Sequence, residues 1–310
     1  MKLDLFNHKN INNIANYLES RNIELDVLIG GPPCQGFSLA GKREADDERN
    51  KLYRAMVQAA FILKPNAVVL ENVPGMLTLY DGSGKKRIFE DFENLGYKMY
   101  VKILYAPDYG IPQIRKRAIF VGLRDHKYQF EFPKPLLNPK EYITCEEAIG
   151  DLPALEGIYG EEIQEYTCDA KTDYQRLMRK NSDKIYNHIG TIHSEKTIKM
   201  ISMIPEGKNY KALPEEELAK RTFKYHEALT RYDRNKPSRT IDTGHRTHFH
   251  YKWNRIPTVR EAARLQSFPD DFIFYGNKQE QYKQVGNAAP PLLGKAIALK
   301  VKELLDSEKN

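Results

Sequence analysis

The chain has 310 residues, enough for one large domain or two smaller ones. Hydrophobic residues make up 41% and charged residues 29%, so a core can form and wholesale disorder is excluded. The formal net charge of +6 suits a polyanionic partner without proving one. Cys34, Cys145 and Cys168 are odd in number, far apart and free of any C-x-x-C pair, which points to a reducing, cytoplasmic setting rather than a disulfide framework. No apolar run reaches membrane-spanning length, so no membrane association is expected. The opening MKLDLFNHKN lacks the apolar stretch of a signal peptide.

Residues 26–29 (DVLI) read as a short buried strand ending at Gly30-Gly31. Residues 48–63 predict a helix with Leu52, Ala55, Met56, Ala59 and Leu63 on one face, and Pro65 follows its end. Residues 67–70 (AVVL) are a second buried strand, and 86–95 a helix closed by Gly96. Strands at 97–105 and 118–123 complete the set. Strands alternating with helices predict an α/β domain with a parallel sheet covered on both faces. From 125 to 255 the chain is rich in charge, Tyr, Lys and Asn, with one short helix near Ile198, Ile201 and Met203-Ile204. Helical patterns return at 259–266 and at 290–305, the latter with proline at its start. The expected division is a first domain of 1–124 with 256–310 and a second of 125–255.

Residues 30–38 read GGPPCQGFS, directly after a buried strand. In a parallel sheet, ligands bind at the carboxyl ends of the strands. Glycines permit close backbone approach and prolines stiffen the loop. A lone cysteine is more often a small core residue, but these flanks argue for a reactive one. Five further segments follow in order: Glu71-Asn72-Val73, residues 113–117 (QIRKR), residues 236–241 (KPSRTI), residues 258–270 (TVREAARLQSFPD) and residues 284–291 (QVGNAAPP).

This ordered set resembles the DNA cytosine-5 methyltransferases of bacterial restriction-modification systems. The resemblance implies a Rossmann-like S-adenosylmethionine-dependent methyltransferase domain, with a smaller target recognition domain at 125–255. It implies methyl transfer from S-adenosylmethionine, without a metal, to carbon 5 of a cytosine flipped out of double-stranded DNA. Carbon 5 is too poor a nucleophile to take the methyl group unaided. A thiolate added at carbon 6 makes the ring enamine-like, and the resemblance gives that role to Cys34. A free cysteine has a pKa near 8.5, which nearby arginines lower, and Arg115 and Arg117 are the implied candidates. Their alternate spacing in an extended segment predicts a shared face. One would contact base or phosphate and the other the carboxylate of Glu71, which is assigned to ring nitrogen 3. Gln35, Ser38 and Lys42 are the implied DNA contacts, and Pro33, Asn287 and Ala288 the implied cofactor contacts. Arg260 and Arg264 are expected to brace the second domain. There, Arg176, Arg179, Lys180, Lys184, Lys208, Arg221, Lys224 and Arg231 are available to read base edges. His245, His248 and His250 fit contact with the DNA backbone better than a metal site.

The pattern departs from the family at one place. The Gly-rich turn and the acidic residue that hold the methyl donor are absent, so the N-terminal strands of the domain are incomplete. Residues 3–6 (LDLF) look like the strand before that turn, but Asn7-His8 follows, and Asn10-Ile11 resembles a later segment. About two strand–helix units, some 60 residues, are missing. The strand at 26–29 is therefore expected to form an open apolar edge. A complementing polypeptide, a truncated or deleted gene, and a misplaced start all remain open. So do two alternatives to a complete enzyme: an inactive DNA-binding remnant and one subunit of a split methyltransferase.

Overall fold

The structure, a computed structural model, describes residues 7–32, 48–78, 82–124, 129–219, 229–244 and 247–309. Packing divides the chain into two compact units. One comprises Met1–Tyr105, Lys116–Lys134 and Ala296–Asn310; the other comprises Ala106–Arg115 and Pro135–Lys295. Residues 256–295 thus pack with the middle region, a different division from the one read in the sequence.

The first unit contains α1 (His8–Ser20), β1 (Val27–Gly30), α2 (Glu48–Leu63), β2 (Ala67–Asn72), α3 (Gly75–Thr78), α4 (Ser83–Glu93), β3 (Tyr97–Tyr105) and β4 (Lys116–Arg124). Helix α1 was not read from the sequence. The Asn7 side chain caps it by accepting from the Lys9 amide at 3.1 Å, and Ile11 is its buried contact. The strand expected at residues 3–6 lies outside the described residues.

The sheet order is β1-β2-β4-β3. Strands β1 and β2 are parallel, whereas β4 runs antiparallel to both β2 and β3. The all-parallel expectation is therefore corrected. Helices connect β1 to β2 and β2 to β3, so those three strands share a direction. Between Tyr105 and Lys116 there is room only for a 3-10 turn at Ala106–Tyr109 and a short extended stretch. A parallel return needs a crossover of roughly a dozen residues or more, so β4 must run back.

Both faces of the sheet are covered, as expected. Val68, Leu70, Ala118 and Phe120 pack with Met56, Ala60, Ile88 and Phe92 on one side. Val69, Ile119 and Val121, on the alternate face, are buried as well. Among the described residues β1 is a terminal strand, and its Ile29 is 69% exposed. A Cβ at Gly30 would lie 2.6 Å from Met56 Sδ and Cε on α2, so the flexible end of that methionine would have to move aside.

The second unit contains α5 (Cys145–Ile149), β5 (Ile163–Glu165), α6 (Asp173–Arg179), β6 (Lys184–Tyr186), α7 (Glu195–Ser202), α8 (Glu215–Leu218), β7 (Thr230–Arg231), β8 (His248–Phe249), α9 (Val259–Leu265) and α10 (Lys278–Asn287). Helix α11 (Pro291–Lys309) begins there, and its residues from Ala296 on belong to the first unit.

Helix α9 is buried on all sides, with Val259, Ala262, Ala263 and Leu265 in an apolar cluster with Ile149 and Tyr174. Its two arginines are buried with it. Arg264 donates to both carboxylate oxygens of Asp270, at 2.8 and 2.6 Å, and to Asp151 Oδ1 at 2.7 Å. Arg260 donates to the carbonyls of Tyr186, Pro269 and Phe272. The bracing role read from the sequence matches these contacts. Losing one partner of a buried pair costs about 3–5 kcal/mol, because it strands the other charge. Asp270→Ala is therefore expected to lower unfolding free energy by about 3–5 kcal/mol in urea titration.

His250 overturns the DNA-contact expectation for that residue. Its ring is buried and stacked on Tyr251 at 4.4 Å, and Nδ1 accepts from the Lys252 and Trp253 amides. Burial pushes its pKa from 6.5 down to about 3. The unfolded chain therefore takes up a proton between about pH 6.5 and 3 that the folded state refuses. Stability is lost as pH falls through that window, by about 2 kcal/mol at pH 5 from this group alone. Burial also lowers His188 and His193, which adds loss of the same sign. Urea unfolding at pH 7 and pH 5 is expected to show the loss, and His250→Gln to reduce it.

Candidate active site

Strands β1 and β2 end side by side, which brings Gly31 and Pro32 against Glu71 and Asn72. A Cβ on Gly31 would lie 3.5 Å from Glu71 Oε2, and Asn72 Nδ2 donates to the Pro32 carbonyl at 2.9 Å. Asn72 Oδ1 accepts from the Val73 amide at 2.9 Å, so this buried side chain ties the end of β2 to the start of the cysteine segment. Pro33, Cys34, Gln35, Ser38 and Lys42 lie outside the described residues.

Glu71 pairs with Ile119 across β2 and β4, so Arg117 is its diagonal neighbour on the same face. Arg117 Nε lies 2.5 Å from Glu71 Oε1. The two form an ion pair, and Oε1 is buried with no further partner among the described residues. Arg117 Nη1 donates to the Lys116 carbonyl at 2.8 Å.

Arg115 serves other partners. It belongs to the second unit and is buried. Its Nη1 donates to the Ile241 carbonyl at 3.1 Å, and its Nη2 to the carbonyls of Gly286 at 3.1 Å and Ala288 at 3.2 Å. Gln113 is likewise buried, accepting from the Ile241 amide and donating to Gln266 Oε1 and the Leu265 carbonyl. These contacts explain why residues 236–241 matter. Ile114 N donates to the Ser238 carbonyl at 2.7 Å, and Ser238 N returns a bond to Pro112. The carboxamide of Asn287, exposed at the end of α10, has no hydrogen-bond partner among the described residues.

Several basic residues of the middle region are already committed. Arg231 is buried and donates to the Ile201 and Tyr251 carbonyls and to Asn254. Arg179 pairs with Asp151 and stacks over Tyr166. Arg176 pairs with Asp173, and Lys184 with Glu165. Lys180 and Lys208 stay exposed, and Arg221, Lys224 and His245 lie outside the described residues. A cavity of about 560 Å³ in this unit is lined by Met200, Phe249, Ile256 and Lys278, and burial pushes the Lys278 ammonium down to about 8. Among the described residues no three His, Cys, Asp or Glu side chains gather as metal ligands, and no helix is long and apolar enough to cross a membrane.

A mixed sheet with a carboxylate–arginine pair at the carboxyl ends of its parallel strands has the form of a Rossmann-like transferase. Residues 4–303 match the C-5 cytosine-specific DNA methylase family, and the chain belongs to that family. It is 38% identical to the type II methyltransferase M.DdeI of Desulfomicrobium norvegicum, over 90% of this chain and 72% of that one. It is 39% identical to M1.HphI of Haemophilus parahaemolyticus, over 96% and 73% respectively. Among solved structures it resembles a protein described as a DNA modification methyltransferase encoded within an E. coli prophage. The TM-score is 0.74 at 25% identity, covering 95% of this chain and 83% of that one. The S. pombe Dnmt2 methyltransferase, at TM-score 0.53 and 15% identity over 100% of this chain and 85% of its own, shares the fold. Membership makes the chain a DNA cytosine-5 methyltransferase by family, acting on DNA with S-adenosylmethionine as methyl donor.

Gly286 tests how tightly the Asn287 turn is built. A Cβ there would lie 2.4 Å from the Asp242 carbonyl oxygen and 2.7 Å from Thr243 N, both backbone atoms. Gly286→Ala is expected to cost about 1–3 kcal/mol by overpacking. An unchanged urea midpoint would show that the 242–243 backbone yields freely.

Proposed function

We propose that Cys34 is the nucleophile that adds to carbon 6 of a cytosine flipped from double-stranded DNA, with Glu71 and Arg117 as its partners at the base. The observation that carries this reading is the placement of Glu71, whose Oε1 lies 2.5 Å from Arg117 Nε and whose Oε2 faces Gly31 at the start of the cysteine segment. As the Cys34 sulfur bonds to carbon 6, negative charge builds on the ring. A proton shared between Glu71 and nitrogen 3 relieves it, and Arg117 holds the carboxyl group while Nη2 is directed to base or phosphate. S-adenosylmethionine, when bound, supplies an electrophilic methyl group that carbon 5 attacks. S-adenosylhomocysteine is the leaving group of that transfer, and passage of the carbon 5 proton to water then expels the Cys34 thiolate and restores the ring.

Asn287 and Ala288, with Pro33, are assigned to the methyl donor. The exposed carboxamide of Asn287 suits the ammonium and carboxylate of its methionine part, since an amide both donates and accepts. Gln35, Ser38 and Lys42 are assigned to the DNA, and residues 125–255 to target recognition. A complementing polypeptide carrying the Gly-rich turn completes the donor site, and the edge of β1, unpaired among the described residues, supports such a partner.

Transfer of tritiated methyl from S-adenosylmethionine to duplex DNA tests the reading, run with and without a fragment that carries the Gly-rich turn. Transfer is expected at least with the fragment, to be abolished by Cys34→Ala, and to fall about 10²–10⁴-fold with Glu71→Gln. Salt-sensitive DNA binding without transfer under either condition, unaffected by Cys34→Ala, would replace this reading with an inactive DNA-binding protein.

A further inference from the structure

We infer that Arg115 is a positioning residue for the methyl-donor side of the site, setting the turn that carries Asn287. The inference rests on the assignment of Asn287 to the donor made above. Arg115 and Arg117 are two residues apart, yet they work in different places. Arg117 lies within β4, whereas Arg115 precedes it and is 3% exposed.

The Arg115 guanidinium is committed to backbone oxygens. Nη2 donates to the carbonyls of Gly286 and Ala288, the residues on either side of Asn287. Nη1 reaches the Ile241 carbonyl and, at 3.4 Å, Gln113 Oε1. Two carbonyls flanking one residue, held by one nitrogen, fix the peptide planes that frame that residue. Gln266 secures the same turn independently, donating to the Val285 carbonyl at 3.3 Å and to the Ala288 carbonyl. On the opposite side, Gly286 lies against the backbone at 242–243 so closely that no Cβ fits. The turn is thus clamped by Arg115, Gln266 and the 241–243 backbone, while the exposed Asn287 carboxamide has no hydrogen-bond partner among the described residues.

Only an arginine serves all these acceptors. Its planar fork carries five N–H donors, whereas a lysine offers one nitrogen that cannot span Ile241 and the 286–288 turn together. Arg115→Lys keeps the charge and most of the volume while removing the fork.

The test compares wild type, Arg115→Lys and Arg117→Lys, each with the Gly-rich fragment, by calorimetric binding of S-adenosylmethionine and by amide hydrogen exchange. Arg115→Lys is expected to weaken S-adenosylmethionine binding about tenfold or more. It should speed exchange at residues 285–289 and lower the melting temperature by a few degrees, while DNA affinity and exchange across β2 and β4 stay near wild type. Arg117→Lys is expected to leave donor binding and the 285–289 amides unchanged. Unaltered donor binding and exchange in Arg115→Lys would overturn the inference. So would loss of methyl transfer with donor binding intact, which would return Arg115 to the base side. If Arg115→Lys does not fold, Arg115→Gln takes its place, and failure of both to fold overturns positioning in favour of a purely structural role. A wild type that binds no S-adenosylmethionine defeats the Asn287 assignment itself, and this inference with it.

Discussion

Strand β4 runs against β2, and the site depends on that reversal. The chain enters β4 at Lys116-Arg117. Had β4 been parallel to β2, its first residues would lie at the amino edge of the sheet, a strand's length from Glu71. Running back, it delivers Arg117 to the carboxyl edge, where β1 and β2 also end and where open α/β sheets bind their ligands. The short connection between β3 and β4 forces this direction. A constraint of chain length therefore brings a cation to a carboxylate, and a glycine and proline from β1 to the same corner.

The arginines of this protein divide by what they touch. Arg115, Arg231 and Arg260 spend their donors largely on backbone carbonyls, and Arg264 binds two buried carboxylates. These are fasteners in a chain whose second unit has short strands and helices and little regular ladder to bind it. Arg117 differs because its close partner is a carboxylate, Glu71, at the carboxyl edge of the sheet.

The sequence made much of this legible, and its failures have physical causes. Strand and helix positions in the first unit were readable because buried runs and helical faces recur at fixed periods, as in Ala55, Met56 and Ala59 of α2. Strand direction was not, because the same alternation of elements serves parallel and mixed sheets. Helix α1 was missed although Asn7 caps it, since its polar residues mask the apolar spacing of Ile11, Ile14 and Leu18. The motif at 113–117 announced its arginines, but two-residue spacing assigns a shared face only if the whole stretch is one strand, and the strand begins at Lys116. His250 looked like a surface residue amid basic and aromatic neighbours. Burial, which local sequence does not encode, decided otherwise. Asn72 lay inside a recognised motif, yet its bond to Pro32 spans 40 residues and could be found only in space.

An edge left unpaired, as that of β1 is among the described residues, turns assembly into a contest between reactions of different order. An edge that carries Ile29 outward is a template for any extended segment. Pairing between two copies of the chain rises with the square of its concentration, whereas capture by a distinct strand rises with the product of the two concentrations. A tethered strand would win outright through its high effective concentration. Which outcome prevails is thus set by abundance and by the timing of synthesis as much as by contact chemistry. The same edge can be a docking rail in one cell and a seed for precipitation in an overproducing one.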